Sequence, residues 1–579
     1  MKKFWNEKIL KYLLKNSAQE ERTYFVLTLI VGLSAALIAV SLHKLTHYLV
    51  VLFGTNKPFD LQALCLGGLA IFVSGYISTR KFPSTSGSGI PGVRVALAVY
   101  HGKITIFQTI AKFVTSVLSL STGMSLGREG PTASISAGLG SYIGQLFHLS
   151  KRKVKALVAI GAAGGIAAAF NTPIAAVVFT LEEVVGDLNA KILGNIIVSS
   201  VVAAVTAHYL LGNSPTFQTL NFSINDPSEL TLYALVGITS AVMGPFWTKT
   251  VLWTRSLNIK LFRGHKLTII MFTFFIMAAI SHIRPEALGA GHDTIESNLL
   301  TMKGSQILLS LFVVKFIATA LCFGSGVSGG LFLPTLLMGA TLGSFLGTIF
   351  GQIIPGFEPN IAIFALVGMG SYFAAVIRAP FTSIIMVFEM TRDYDIIMPL
   401  MIANVVSYFL SSKLNPKSIY ESISEQDGIH LPNRDDHEIL ESLIVEDAMI
   451  SKPFSISANL SVKEAADLIE NAEFSGFPVL KNGQLFAVVS RSDIKQSLAK
   501  GNGDENILTI SEKKVITIYP DQSLLVAFHK LDRFHVSRLP VVSRINERNL
   551  IGIVTAENIV SLFGYNLRSV KGEEETISV

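Results

Sequence analysis

The sequence predicts an all-α polytopic membrane protein with an internally duplicated architecture, followed by a small soluble α/β pair. Three observations predict it. The 579-residue chain is 50% hydrophobic and only 15% charged, with mean hydropathy +0.51; that is too apolar for an ordinary soluble protein and too long for one domain. Uncharged stretches of spanning length recur and then stop near Lys413. Finally, both the apolar part and the polar part contain a segment that occurs twice.

The uncharged stretches include 24–42, 61–79, 156–181, 230–248, 267–283, 359–377 and 396–412. The longest charge-free run, 316–357, needs two crossings or several short tilted pieces. Its Gly and Ala content lets helices approach closely in lipid. The opening Met1-Lys2-Lys3-Phe4-Trp5-Asn6-Glu7-Lys8 is basic and amphipathic and lacks a cleavable apolar core, so it reads as a cytoplasmic surface helix. Cys65 and Cys322 lie in apolar segments and imply no disulfide framework. The net charge of +6 suits cytoplasmic loops, and no compact basic stripe points to nucleic acid as a partner.

From Lys413 onward charges are spread throughout. The predicted organisation is a transmembrane domain at 1–425, a polar linker at 426–441 around Pro432-Asn433-Arg434-Asp435-Asp436, and two modules at 442–500 and 508–565. A polar tail at 566–579 completes it. In the membrane part, Ala167-Ala168-Ala169-Phe170-Asn171-Thr172-Pro173 runs on to Glu182. Ala374-Ala375-Val376-Ile377-Arg378-Ala379-Pro380 runs on to Glu389 with the same spacing. Two halves with matching helix breaks indicate a duplicated transporter unit with its site between the halves. In the tail, Gly476-Phe477-Pro478-Val479 leads to Phe486-Ala487-Val488-Val489, and Arg538-Leu539-Pro540-Val541 leads to Ile551-Gly552-Ile553-Val554. Each reads as helix, strand, turn, strand, helix.

Three glycine-rich breaks interrupt the apolar segments: Gly87-Ser88-Gly89-Ile90-Pro91-Gly92, Gly127-Arg128-Glu129-Gly130-Pro131-Thr132 and Gly329-Gly330-Leu331-Phe332-Leu333-Pro334. Irregular backbone survives at bilayer depth only inside protein or against a water-filled cavity. Each break ends near a Pro, which favours the first turn of a helix. Helix N-termini present free N–H groups and partial positive charge, which suits an anion.

All three breaks, the Glu182-Glu183 pair and Tyr420 resemble the signature segments of the CLC family of chloride channels and chloride/proton exchangers, over about residues 20–425. The tail resembles a tandem pair of CBS domains. The resemblance implies an inverted-repeat CLC fold with a cytoplasmic α/β CBS pair. It also implies a homodimer whose subunits each hold a pathway for chloride and protons, in contact with membrane lipid. No cofactor is required, and an adenine nucleotide is a candidate ligand of the CBS pair. A bacterial inner membrane is the expected location.

The candidate site residues follow. The Ser88 hydroxyl either donates to an anion or caps its own helix; the resemblance makes it an inner ligand of a central chloride, Ser being the chloride-type choice. Leu331 and Phe332 are expected to offer backbone N–H groups, the Phe332 ring serving packing alone. Tyr420 sits where interfacial aromatics belong, whereas the resemblance turns its hydroxyl toward the anion beside Ser88. Glu129, a carboxylate in a helix break, is a functional candidate by position or a complement to a helix dipole. Both readings share one physics, since an ionised Glu129 fits the N–H cradle that suits chloride and its protonation frees that cradle. Arg128 shapes the local potential. Glu182 reads as an ordinary acidic helix end facing the cytoplasm. Glu183 falls where the family's exchangers place their inner proton-transfer acid. Asp493 and Thr555, with Ser490, Glu557 and Asn558 nearby, are nucleotide candidates by resemblance and turn or cap residues by local chemistry.

The function expected is exchange of chloride for protons, gated by Glu129. The alternative is a voltage- or pH-gated passive chloride channel of the same fold. A divalent-metal transporter would need clustered oxygen ligands in the membrane, and intramembrane acids are few. An enzyme is not expected: there is no nucleophile–base pairing and no His-Glu-x-x-His, and His292 reads as a loop residue.

Overall fold

A computed structural model describes residues 17–562 apart from 187–191, 213–216, 218–228, 263, 302, 430–439, 452, 471, 473–475, 513–514 and 535. The expected surface helix at the start, most of the linker and the polar tail lie outside the described residues. The chain forms two compact units, Met1–Leu431 and Pro432–Val579.

Among the described residues, nine helices of the first unit are long and apolar enough to cross a membrane. Its elements are α1 (Ser17–Phe53), a π turn (Ala63–Gly67) leading into α2 (Gly68–Tyr76), α3 (Ile90–Ala98), α4 (Ile106–Leu120), α5 (Glu129–Leu146), α6 (Lys151–Phe170), α7 (Pro173–Phe179) and α8 (Leu193–Leu211). The second half repeats the order: α9 (Glu229–Leu261), α10 (Lys266–Ile283), α11 (His292–Leu300), α12 (Ser305–Gly324), α13 (Phe332–Ile353), α14 (Ile361–Ile377), α15 (Pro380–Thr391) and α16 (Ile397–Leu414), closed by α17 (Ile419–Gln426). The uncharged run 316–357 thus resolves into parts of two helices joined by the third glycine break.

Packing repeats with the sequence. The most extensive helix contacts are α5 on α6 and, in the second half, α13 on α14. A methyl at Gly140 would sit 2.2 Å from the Leu157 carbonyl oxygen, and one at Gly343 would sit 1.9 Å from that of Phe364. Both pairs therefore approach backbone to backbone, the contact that small residues permit in lipid. Every residue of α14 is buried, as expected of a helix apolar all round at the centre of a bundle.

The halves are also tied by crossed charges. The Glu389 carboxylate accepts from the backbone N–H of Ile174 (3.0 Å) and Ala175 (2.7 Å), in the first turn of α7. Glu182 accepts from the N–H of Thr382 (3.0 Å) and its hydroxyl (2.7 Å), in the first turn of α15. The expectation for Glu182 is corrected here. It is not a free helix end but a cap on the opposite repeat, because Pro173 and Pro380 open helices whose N–H groups need acceptors.

In the second unit, two three-stranded sheets carry the duplicated segments. β1 (Ile450–Ser451) pairs antiparallel with β6 (Leu550–Thr555), which pairs with β5 (Arg538–Val542). β2 (Ile456–Ser457) runs parallel to β3 (Gly476–Lys481), which pairs antiparallel with β4 (Gln484–Ser490). The helices α18 (Val462–Ile469), α19 (Arg491–Ala499) and α20 (Leu524–Phe534) complete the two modules. Separate apolar clusters, around Phe477 and around Leu539, give each module its own core.

Removing an inter-half cap, as in Glu389→Ala, is expected to cost about 1–2 kcal/mol and to lower the melting temperature of the detergent-solubilised protein, with Glu389→Gln intermediate. The tail should be acid-sensitive. Hydrogen bonds from Ser461 hold the Glu464 carboxyl below its ordinary range, and the Arg544 guanidinium does the same for Asp521. A lowered folded-state pKa stabilises above the unfolded carboxylate value, about 4, and is lost as pH falls through the folded value. Thermal melts from about pH 5 to about pH 3 should show the tail weakening, less steeply in Arg544→Gln.

Candidate functional site

The three glycine breaks, far apart in sequence, are hydrogen-bonded to one another. Gly127 N–H donates to Gly330 O (2.7 Å) and Gly330 N–H returns the bond to Gly127 O (2.6 Å). Gly87 N–H donates to Val327 O (3.2 Å), and Gly329 N–H to Gly87 O (3.1 Å). A β-carbon at Gly130 would lie 2.4 Å from the Ser88 hydroxyl oxygen, and one at Gly330 would lie 3.0 Å from Gly130 N. Only glycine lets the backbones meet so closely.

Each break opens a helix: Gly89 precedes α3, Arg128 precedes α5 and Leu331 precedes α13, and none of these N-caps makes a side-chain cap bond. By contrast α4, α6 and α14 are capped by Thr105, Ser150 and Asn360. The three N-termini at the junction thus keep first-turn N–H groups for something other than their own caps.

Ser88 (2% exposed) and Tyr420 (fully buried) stand at this junction with their hydroxyls facing each other, and among the described residues neither hydroxyl has any further hydrogen-bond partner. The Tyr420 side chain lies within interaction range of Ser88, Glu183, Glu129 and Arg94. Such a pair uses one hydroxyl donor and leaves the other free for a ligand. Leu331 and Phe332 are buried at the start of α13. The Phe332 ring packs on Phe170, Phe179 and Phe373, with centroids 4.7, 5.4 and 4.6 Å away, and so anchors the helix tip.

Glu129 begins α5 and is 2% exposed. Its carboxyl is directed at its own N–H and that of Leu333 in the first turn of α13, while Oε2 makes no hydrogen bond among the described residues. The acid therefore lies against the same N-terminal cradle as the breaks. The guanidinium of its neighbour Arg128 contacts His43 Nδ1 on α1.

Glu183 lies in a π-helical turn, Thr180–Val185, that follows α7. The turn aims adjacent acids apart, Glu182 toward α15 and Glu183 toward α3 and α17. Glu183 Oε1 accepts from Arg94 Nη1 (2.5 Å) and from the Ser418 hydroxyl (3.0 Å). Arg94 sits on the helix that the Ser88 loop opens, and Ser418 caps the helix that carries Tyr420. One short network thus links the acid to both hydroxyl-bearing elements.

Sequence reasoning passed over Arg94 and two buried lysines. Lys112 Nζ donates to the carbonyls of Thr85 (2.8 Å) and Gly87 (2.6 Å), behind the Ser88 loop. Lys315 Nζ donates to Ala287 (3.1 Å) and Gly289 (2.7 Å), in the corresponding loop of the second half. Both loops begin with a 3₁₀ turn at a Pro and hold two glycines at positive φ, Gly87 and Gly89 against Gly289 and Gly291. The second copy has Ala290 where the first has Ser88. Each lysine is the sole charge in its apolar helix, a signal the sequence displays. His292 is corrected as well: it is the first residue of α11 and lines a cavity with Arg128 and Glu129.

In the tail, Ser490 N–H and hydroxyl donate to Asp493 Oδ2, and Thr555 N–H and hydroxyl donate to Asn558 Oδ1. Both are capping boxes. They leave an acidic group in the first repeat and a neutral amide in the second.

A profile of the family described as "Voltage gated chloride channel" matches residues 67–412, and one described as "CBS domain" matches 445–500 and 507–565. The chain is 29% identical over 433 residues to the "H(+)/Cl(-) exchange transporter ClcA" of Vibrio cholerae serotype O1, an alignment covering 72% of this chain and 92% of the relative. It is 30% identical over 408 residues to the protein of the same name from Salmonella paratyphi A, covering 68% and 86%. Among solved structures, a slow cyanobacterial Cl-/H+ antiporter aligns with TM-score 0.64 at 24% identity over 70% of this chain and 97% of that one. A eukaryotic CLC transporter aligns with TM-score 0.66 at 20% identity, covering 92% of this chain and 97% of that one. These two likenesses establish the fold, and the family profile spans more than half of the sequence. The chain therefore belongs to the CLC, or voltage-gated chloride channel, family and carries a tandem CBS pair.

Proposed function

We propose that this chain is a secondary active antiporter that exchanges chloride for protons across the membrane. The observation that carries the reading is the position of Glu129, a buried acid lying against the uncapped N-termini that, with the Ser88 and Tyr420 hydroxyls, form an anion cradle. Chloride rests by Ser88 and Tyr420 and against the N–H groups of Leu331 and Phe332. It passes when Glu129 takes a proton and withdraws. Glu183, held by Arg94 and Ser418, exchanges protons with the inner solution. The exchange activity named for the relatives supports this reading. A passive chloride channel is the alternative, but it has no use for a second buried carboxylate at position 183.

The subunit pairs with a second copy, each keeping its own pathway, in a bacterial inner membrane with the CBS pair in the cytoplasm. The acidic group of Asp493 and the Thr555 hydroxyl are where an adenine nucleotide would be held. An ionised Asp493 accepts from ribose hydroxyls, and Asn558 stands in place of that acid in the second repeat. Titrating ATP into the full-length protein tests this; a site at Asp493 loses most of its affinity in Asp493→Ala.

Purified protein in sealed liposomes, given a chloride gradient, should drive protons uphill. Chloride flux with no proton movement would instead establish the channel. Glu183→Ala should retain chloride flux with proton coupling lost. Glu129→Ala should abolish proton transport and leave flux at saturating chloride indifferent to pH.

A further inference from the structure

The ion pair between Arg94 and Glu183 is buried and one-sided. Arg94 Nη1 lies 2.5 Å from Glu183 Oε1, and the two side chains are 17% and 7% exposed. The Ser418 hydroxyl donates to the same oxygen, at 3.0 Å. No described residue donates to Oε2. One oxygen of the acid is thus held by two donors, and the other is left for a proton.

The surroundings make Arg94 the deciding charge. Three helices pack on the turn that carries Glu183. Arg94 is the sole charged residue of α3, α7 has none, and those of α6 lie in its first two turns. The other charges within range of Glu183 are two acids, Glu421 and Glu182, the latter directed at α15. The Tyr420 hydroxyl is also within range, and Lys417, beside Ser418, is paired with Glu425. Burial and two neighbouring acids favour the protonated carboxyl, and the guanidinium is the one cation that opposes them. Arginine keeps its charge wherever a carboxyl titrates.

We propose that Arg94 is a positioning residue for the inner proton transfer. It engages Glu183 Oε1 and keeps the acid ionised between transfers, so that each proton enters and leaves at Oε2 and is passed on. Without the guanidinium, the buried carboxyl would retain its proton and stop exchanging it. Because Arg94 stands on the helix that the Ser88 loop opens, one short helix also fixes the proton site relative to the anion site. The inference rests on the exchanger reading, which gives Glu183 its proton.

The test follows the carbonyl stretch of protonated carboxyls by infrared spectroscopy, in full-length protein in lipid, from about pH 4 to about pH 9. Glu183→Gln identifies the band that belongs to Glu183. Arg94→Met should raise the midpoint of that band by about one to three pH units, roughly ten- to thousandfold in proton affinity. Arg94→Lys, which keeps the charge, should move it by less than about one unit. In liposomes, the dependence of proton transport on inner pH should shift in the same direction and by the same amount. Should Arg94→Met fail to fold, Arg94→Gln carries the same expectation. A midpoint that stays in place in Arg94→Met or Arg94→Gln, or that moves as far in Arg94→Lys, overturns the proposal. Absence of proton transport in the parent overturns the exchanger reading instead, and the infrared titration still decides whether Arg94 sets the charge of Glu183.

Discussion

The structure depends on a shortage of hydrogen-bond acceptors. Three helices start at one buried junction, and none of their N-cap residues makes a side-chain cap bond. A missing cap costs about 0.5–2 kcal/mol where water can substitute, and more where it cannot. The junction is held together by hydrogen bonds between the breaks through Gly87, Gly127, Gly329 and Gly330. The unmet demand suits a negative charge, and the carboxylate of Glu129 lies against it.

Much of this was legible in the sequence. Glycine clusters ending in Pro mark helix starts wherever they occur, so Ser88, Glu129 and the Leu331–Phe332 break could be named from local chemistry and their family likeness. The duplicated Ala-rich segments ending at Pro173 and Pro380 exposed the repeat for the same reason. Burial of Tyr420 was legible only through the likeness, since an aromatic after the last apolar segment belongs at an interface on local grounds.

What escaped the sequence depends on contacts between distant segments. Nothing near Glu182 says that it will accept from Thr382, and nothing near Arg94 names Glu183 as its partner. The lysines at 112 and 315 were visible as solitary charges, but their meaning needed the loops they brace. Once those loops are compared, the two halves prove to have built the same device twice. Only one copy kept a hydroxyl, and the other has Ala290 at that place. The divergence leaves Ser88, with no counterpart in the second loop, as the hydroxyl of this device.

The crossed caps of Glu182 and Glu389 bear on how such a molecule can move. A transporter that swings one half against the other must part the surfaces between them. Here each half reaches across to satisfy a helix of its counterpart, and the breaks are stitched to one another besides. Opening by a hinge would strand both acids and four or more amides at once. Motion that preserves these bonds is confined to side chains and short segments within a joined scaffold.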